Sequence, residues 1–597
     1  MKERTQIPVT PLSIPSKETN PSVRQFVSTR PSSVTPLPES NFDTKIVAHP
    51  IIETPLPRKF PEDVLTARLA TPSKSRSLLR WEVLLIIAIL LTAALAHGIN
   101  MFHFPYFEND EGTYMSQAWT VVNEGQLAPY TYWYDHTPGG WIQIAAWTIV
   151  TGGFHTFGFI NNSGRVLMLL FQVASTLMLY LIARKSSGSI AAATIAALLF
   201  ALSAYGIYFH RRVLLDNITT FWMLLSILLL LPNRFSLKRA WLSALALGIS
   251  ILSKELTIFL IPVLTYLVFF RSDRSHRWFA IVGWLVIVMS LISLYPLMAI
   301  LKNELFPTGT FLGGMSPHVS LLGTLQYQAS RGKDGGLFDL HSAIWGYLQI
   351  WAQDDPMLVI GGSLCAIVSV IIMRWNRLGG IMGLLTLSLY IFLGRGGEVI
   401  GFYLIPLLPL FALNIGLIFG AGADKIRKFM CKVLGVNKAL STIIPLVTVA
   451  LCVGSGLFMS YTNPDLYPGF QAAQLWNGTQ SDAQSQATEW VKDHISSSSV
   501  IIIDDYMWTD LRDTGNASLT FKKIYWYWKV DLDPAISKNV FHNDWRHADY
   551  IVVTPQMLHD VKESNLRLMN EILMHSKVIK YFDNQDGWPI EIRKVNK

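Results

Sequence analysis

Asp110 and Glu111 stand side by side in HFPYFENDEGTYM (104–116), just past the first long apolar stretch of the chain. An acidic pair at the mouth of a membrane bundle suits general-base work, in which one carboxylate takes the proton of an attacking hydroxyl. The pair opens a segment with Tyr114, Ala118, Trp119 and Val122 at apolar positions, a spacing that predicts a short helix. A structural role competes, because Asn109 or Asp110 would also cap that helix. More charge gathers at the same ends of the apolar stretches. His210, Arg211 and Arg212 close the third and Asp216 opens the fourth; Lys254 and Glu255 split the fifth from the sixth; Arg395 and Glu398 precede the tenth; Asp135 and His136 follow the first. Charges in spans cost about 2.5–3.5 kcal/mol each on insertion scales, which marks them as functional candidates. A cationic set facing an acidic pair suggests an anionic ligand held beside a catalytic carboxylate. The plain alternatives are arginines snorkelling to headgroups, Asp216 capping its helix, and Lys254 and Glu255 bridging structural partners.

The elements that must position these groups are membrane helices. Of 597 residues, 51% are hydrophobic and 15% charged, against about 25% charge in soluble proteins, and mean hydropathy is +0.34. Spans of about 20 residues are expected at 81–102, 164–183, 189–209, 214–232, 240–253, 256–270, 278–300, 357–373, 378–394, 400–420 and 441–461, about eleven in all. Lys/Arg-rich short loops (184–185, 234–239, 271–277, 374–377, 425–432) then fall on one side, which predicts a cytoplasmic N-terminus and an outer C-terminal segment. The net charge of +8 is accounted for by topology and gives no support to nucleic-acid binding. Cys365, Cys431 and Cys452 lie in spans or on the inner side, so no disulfide or Cys metal site is expected outside. The first span, flanked by Lys74, Arg76 and Arg80, reads as an uncleaved anchor.

Residues 1–76 hold twelve of the 29 prolines and read as a disordered cytoplasmic tail. Residues 77–461 form the membrane domain, with long outer loops at 104–162 and 301–355. Helical stretches near 111–123 and 140–149 are candidates to lie in the interface. The Gly-rich second loop is a candidate lid with SRGKDGG (330–336) at its tip, or a plain solvated loop. Residues 462–597 alternate helix and strand signals (ATEWVKDHI, VIIIDD, DYIVVTP, then 556–575), which predicts a small extracytoplasmic α/β domain. Within it IYWYWKV (524–530) reads as buried strand rather than a sugar platform. No internal repeat is visible, which weakens a transporter built on duplicated halves.

In order and side, these residues resemble the GT-C membrane glycosyltransferases, particularly the polyprenyl-phosphate-sugar users related to protein O-mannosyltransferases and the lipid A aminoarabinose transferase. ENDEGTY (108–114), YDHTPGGW (134–141), HRRVLLDNITTFW (210–222) and GRGGEVIGFYLIPLLPL (394–410) carry the resemblance, with LSKELT (252–257) a weaker fifth. It spans roughly 80–420. Thr137 and Gly139 stand where relatives often carry Lys and Pro, and Glu255 replaces a usual Gly. The resemblance implies an α-helical polytopic GT-C-like fold in the plasma (inner) membrane and inverting transfer of a sugar from a polyprenyl-phosphate donor to an acceptor hydroxyl. Asp110 would be the base and Glu111 its orienting partner. Arg211, Arg212, Lys254, Arg395 and His136 would hold the donor phosphate, with Asp135, Asp216 and Tyr403 also in the site. The acceptor would be a protein, lipid or glycan. No cofactor is required by this chemistry, and no His–carboxylate spacing indicates a divalent metal. The rival readings are a flippase of lipid-linked sugars, which needs a polar path across the bilayer, and a non-catalytic glycolipid-binding protein.

Overall fold

A computed structural model describes residues 74–597 except 233, 331–334, 398, 515–519 and 584–586. The expected tail, Glu398 and the tip of the second loop therefore fall wholly or largely outside the described residues. The chain is a multi-pass helical protein. Six described helices are long and apolar enough to cross a membrane: Arg80–Gly98, Ile160–Ser187, Arg277–Leu301, Met357–Arg374, Gly401–Val433 and Lys438–Thr462. Ile190–Leu202 and Ala204–His210 make a seventh if counted as one span bent by 62°.

Polar residues explain why eleven expected stretches yield fewer long helices. At the bend, the Ser203 hydroxyl accepts from Gly206 N–H, capping the second half, and donates to Asp355 at 2.7 Å. Lys254 ends Leu237–Ser253 in extended backbone (φ −158°), and Glu255–Leu260 continues as a tight 3-10 turn before Ile261–Arg271. Leu215–Leu230 and Arg377–Leu393 are apolar but shorter than a full span.

The first loop folds into two helices, Asn109–Asn123 and Gly139–Thr151. The first does not float in an interface; Glu111, Gly112 and Tyr114 to Thr120 are buried, packed against the C-terminal domain. That domain carries a five-stranded sheet of β1 (Ile501–Ile503), β2 (Ile524–Trp526), β3 (Tyr550–Val553), β4 (Ser576–Phe582) and β5 (Ile590–Val595), in the order β2-β1-β3-β5-β4. β2, β1 and β3 run parallel, and β5 and β4 join antiparallel. The stretch 556–575 forms two helices, Pro555–Glu563 and Arg567–Met574.

The domain is locked to the first loop. The side chain of Gln484, on helix Gln480–His494, accepts from Phe107 N–H at 2.6 Å and donates to Phe107 C=O at 2.8 Å. At Gly112 a Cβ would stand 2.2 Å from the backbone of Asp505 and Tyr506. The glycine of ENDEGTY therefore lets the acidic helix touch the end of β1.

Candidate active site

A cavity of about 1180 Å³ opens between the first loop, the second loop and the C-terminal domain. Glu108, Asp110, Asp135 and His136 line it on one side. Its edge residues Phe402 and Ile400 come from the start of the Gly401–Val433 span and the residue before it, and Ser320, Thr324 and Tyr327 from the second loop.

The three acids at the helix start have separate fates. Glu108, not Asn109 or Asp110, is the N-cap, in a capping box with Glu111 whose carboxylate accepts from Glu108 N–H at 3.3 Å. Glu111 is fully buried, gripped bidentately by Arg165 at 2.9 and 3.0 Å and by Val213 N–H at 3.0 Å. Glu108 pairs with Arg212, and burial pushes its carboxyl up to about 7 despite that guanidinium. Asp110 has no basic ion-pair partner among the described residues; the Tyr114 hydroxyl donates to it at 3.2 Å. Burial raises its pKa above the usual carboxylate value, while Lys254 and His136 pull it back.

The bases are positioned by local structure. Tyr134 adopts φ +57°, a conformation bulky residues rarely take, and its hydroxyl donates to Glu304 at 2.6 Å. The chain then turns so that Asp135 accepts from His136 N–H at 3.0 Å. Burial disfavours the charged His136 imidazole, but Glu255 at 3.3 Å outweighs it and the net shift is upward. Lys254 is buried, bonded to Asp216 at 2.6 Å and set 4.8 and 4.9 Å from the rings of Phe402 and Tyr403. Tyr403 feels the charges of Lys254, Asp216, Arg395 and Asp110 together, so these groups converge around it. Among the described residues no group of three or more His, Cys, Asp or Glu could hold a metal.

Residues 141–300 match the family model described as dolichyl-phosphate-mannose-protein mannosyltransferase. The structure superposes on ArnT from Cupriavidus metallidurans bound to undecaprenyl phosphate with a TM-score of 0.53 at 14% identity, covering 86% of this chain and 98% of that one. The chain shares the fold of ArnT. AglB from Archaeoglobus fulgidus, in complex with an inhibitory peptide and a dolichol-phosphate, aligns at TM-score 0.51 and 12% identity over 85% of this chain and 74% of its own. A search of curated proteins returns no match.

Within this fold several expected site residues stand elsewhere than the cavity wall. Glu111 lies on the inward face of its helix, where Arg165 holds it. Arg211 gives its guanidinium to the carbonyls of Ala96, His97, Ile99, Phe104 and Leu475, five backbone acceptors that splint the end of the first span to the C-terminal segment. That geometry leaves it no donor for a ligand and rules out simple snorkelling. Arg212 is stacked 4.3 and 4.4 Å from Tyr106 and Tyr208, one layer behind Glu108. Asp216 makes no side-chain cap; its partner is Lys254. Arg395 is exposed, donating to Phe392 C=O at 2.8 Å.

The departures in YDHTPGGW also find a cause. Thr137 is buried and donates to Ile251 C=O at 3.1 Å, and a Cβ on Gly139 would fall 2.4 Å from the Leu252 carbonyl oxygen. Larger side chains are excluded by the end of helix Leu237–Ser253. Two groups escaped sequence reasoning. Arg165 opens the second span and the rule about charges in spans would have found it. Asp504-Asp505 ends a buried parallel strand, the place where α/β sheets put ligands.

Proposed function

We propose that this chain is an inverting glycosyltransferase of a plasma membrane, moving a sugar from a polyprenyl-phosphate donor to an acceptor hydroxyl at the outer face. The observation that carries the reading is Asp110, the one acid at the helix start that faces the cavity without a cationic partner among the described residues. The undecaprenyl phosphate and dolichol-phosphate bound by the similar structures support the donor class. In the proposed step Asp110 takes the acceptor proton, and the oxygen attacks the anomeric carbon opposite the phosphate. The bond from that carbon to the phosphate oxygen breaks, and its electron pair leaves with the lipid phosphate. A phosphate is already a good leaving group, so no general acid is needed; fixed positive charge suffices. Lys254, His136 and Arg395, with the Tyr403 hydroxyl, are the groups proposed to supply it. An ammonium has three N–H donors, so Lys254 can keep Asp216 and still bind phosphate. Asp135 lies beside His136 on the acceptor route. The chemistry runs without a metal or cofactor.

The test is reconstitution of the full chain with synthetic polyprenyl-phosphate sugars and a mixed acceptor pool in EDTA. A glycosylated product of inverted anomeric configuration is expected. Retained configuration, or donor movement across the bilayer without product, overturns the reading. Reporters after residue 430 and after Lys597 should report the inside and the outside respectively.

A further inference from the structure

The C-terminal domain presents the cavity with the carboxyl ends of all three of its parallel strands. β1 runs into Asp504-Asp505, β2 into Tyr527-Trp528 and β3 into Thr554-Pro555-Gln556. Asp505, Tyr527, Trp528 and Gln556 line the cavity, and helix Pro555–Glu563 adds His559, Asp560 and Glu563. Side chains at such strand ends converge because each strand releases its chain at the same edge, which is where open α/β sheets bind ligands.

The wall is wired to the proposed catalytic helix. Thr113 donates to Asp505 at 2.5 Å, and the Asn109 amide bridges the Tyr527 hydroxyl and Asp504 at 2.6 and 2.5 Å. Its aromatic groups are Trp528, whose indole N–H donates to Asp505 at 3.1 Å, and Trp588, stacked 3.7 Å from Tyr106. Trp133 lines the same space.

The sign of charge narrows the ligand. Glu108, Asp110, Asp135, Asp505, Asp560 and Glu563 line the cavity, and no Lys or Arg does so among the described residues. Lys254 and Arg395 stand outside this lining, near Tyr403; the histidines within it are His318, His559 and His136, the last paired with Glu255. An anionic acceptor would meet like charge at this wall. Burial and the neighbouring Asp504 push Asp505 above the usual carboxylate range, and its oxygens accept from Thr113 and the Trp528 indole. Carboxyl, amide and phenol groups interleaved with indole faces suit hydroxyl-rich rings. The volume exceeds the roughly 300–1,000 Å³ of ordinary small-ligand pockets, enough for a donor sugar and an acceptor together.

We propose that this wall is the acceptor subsite and that it takes a neutral carbohydrate, an inference that rests on the glycosyltransferase reading above. The experiment uses the full chain in detergent and saturation-transfer NMR. The probes are neutral manno-, gluco- and arabino-oligosaccharides, a phosphorylated mannose oligosaccharide, and a Lys-rich peptide containing serine. At least one neutral oligosaccharide should bind, with the phosphorylated one weaker. Replacing Gln556→Ala and Glu563→Ala together removes two hydrogen-bonding groups and should weaken that binding about tenfold. The thermal shift caused by undecaprenyl phosphate should be unchanged. Glu563→Lys should improve the phosphorylated probe. Preference for the phosphorylated probe or the peptide, no binding by any neutral oligosaccharide, or unchanged binding in the double variant overturns the subsite. Failure of the glycosyltransferase reading has another signature: no undecaprenyl phosphate shift and no transfer in the unsubstituted chain.

Discussion

The two faces of helix Asn109–Asn123 use the same residue types for opposite ends. On the inward face Glu111 meets Arg165, and nearby Arg211 and Arg212 are consumed by carbonyls, Glu108 and aromatic rings. On the cavity face Asp110 accepts from a tyrosine hydroxyl and has no basic ion-pair partner among the described residues. Charge that the protein satisfies internally is architecture: removing one partner of a buried pair leaves the other uncompensated. Charge left facing a cavity is available for chemistry, and its pKa is set by burial rather than by an ion pair.

The sharpest way to break this contrast is Asp110→Asn. Glu108 caps the helix, so the fold should survive, while turnover should fall by about 10²–10⁴-fold if a general base is lost. The pH–rate profile adds a second readout. Asp110 must be deprotonated to act and its pKa is raised, so activity should climb with pH above the ordinary carboxylate range, and Asp110→Asn should lose that limb. Activity within a few-fold of the unsubstituted chain would end the base assignment.

Arg165→Met and Glu111→Gln should act on the other face. Each leaves a buried partner unmatched, at about 3–5 kcal/mol, so the yield of folded protein and its melting temperature should drop. Restored stability in the double variant Glu111→Gln/Arg165→Met, relative to Arg165→Met alone, would sharpen the architectural reading. Turnover loss in Glu111→Gln at unchanged stability would move the chemistry inward.

Lys254→Met and Arg211→Met separate the two kinds of cation. Lys254→Met should weaken donor use in the folded fraction and also lower stability, because it strands the buried Asp216, whereas Arg211→Met should lower stability and leave the donor KM of the folded fraction unchanged. The reverse pattern would return the phosphate to Arg211.

The smallest effect concerns the buried acid of the C-terminal domain. Burial raises Asp504 to about 7 in the folded protein, against about 3.9 unfolded. The folded state holds the extra proton between those values, so this contribution is full below about pH 4 and is lost as pH rises through about 7. Asp504→Asn should therefore flatten the decline of melting temperature between about pH 4 and 7. An unchanged slope would place the titration elsewhere.

The polytopic helical class, the acidic motif and the edge where charge collects follow from sequence, because long apolar runs and charges flanking them obey the bilayer's demand for internal hydrogen bonding. VIIIDD and DYIVVTP announced β1 and β3 through their β-branched runs. Nothing local marked β4, whose SKVIKYF is largely exposed, or its antiparallel pairing to β5. Sequence brought Arg211 and Arg212 forward together, yet one faces five carbonyls and the other a glutamate, a difference of direction that adjacent positions cannot encode. It likewise placed Asp110 and Glu111 in one motif. Successive helical residues point about 100° apart, so whichever face the Arg165 helix and the C-terminal domain cover decides which acid is sealed and which is left to the cavity.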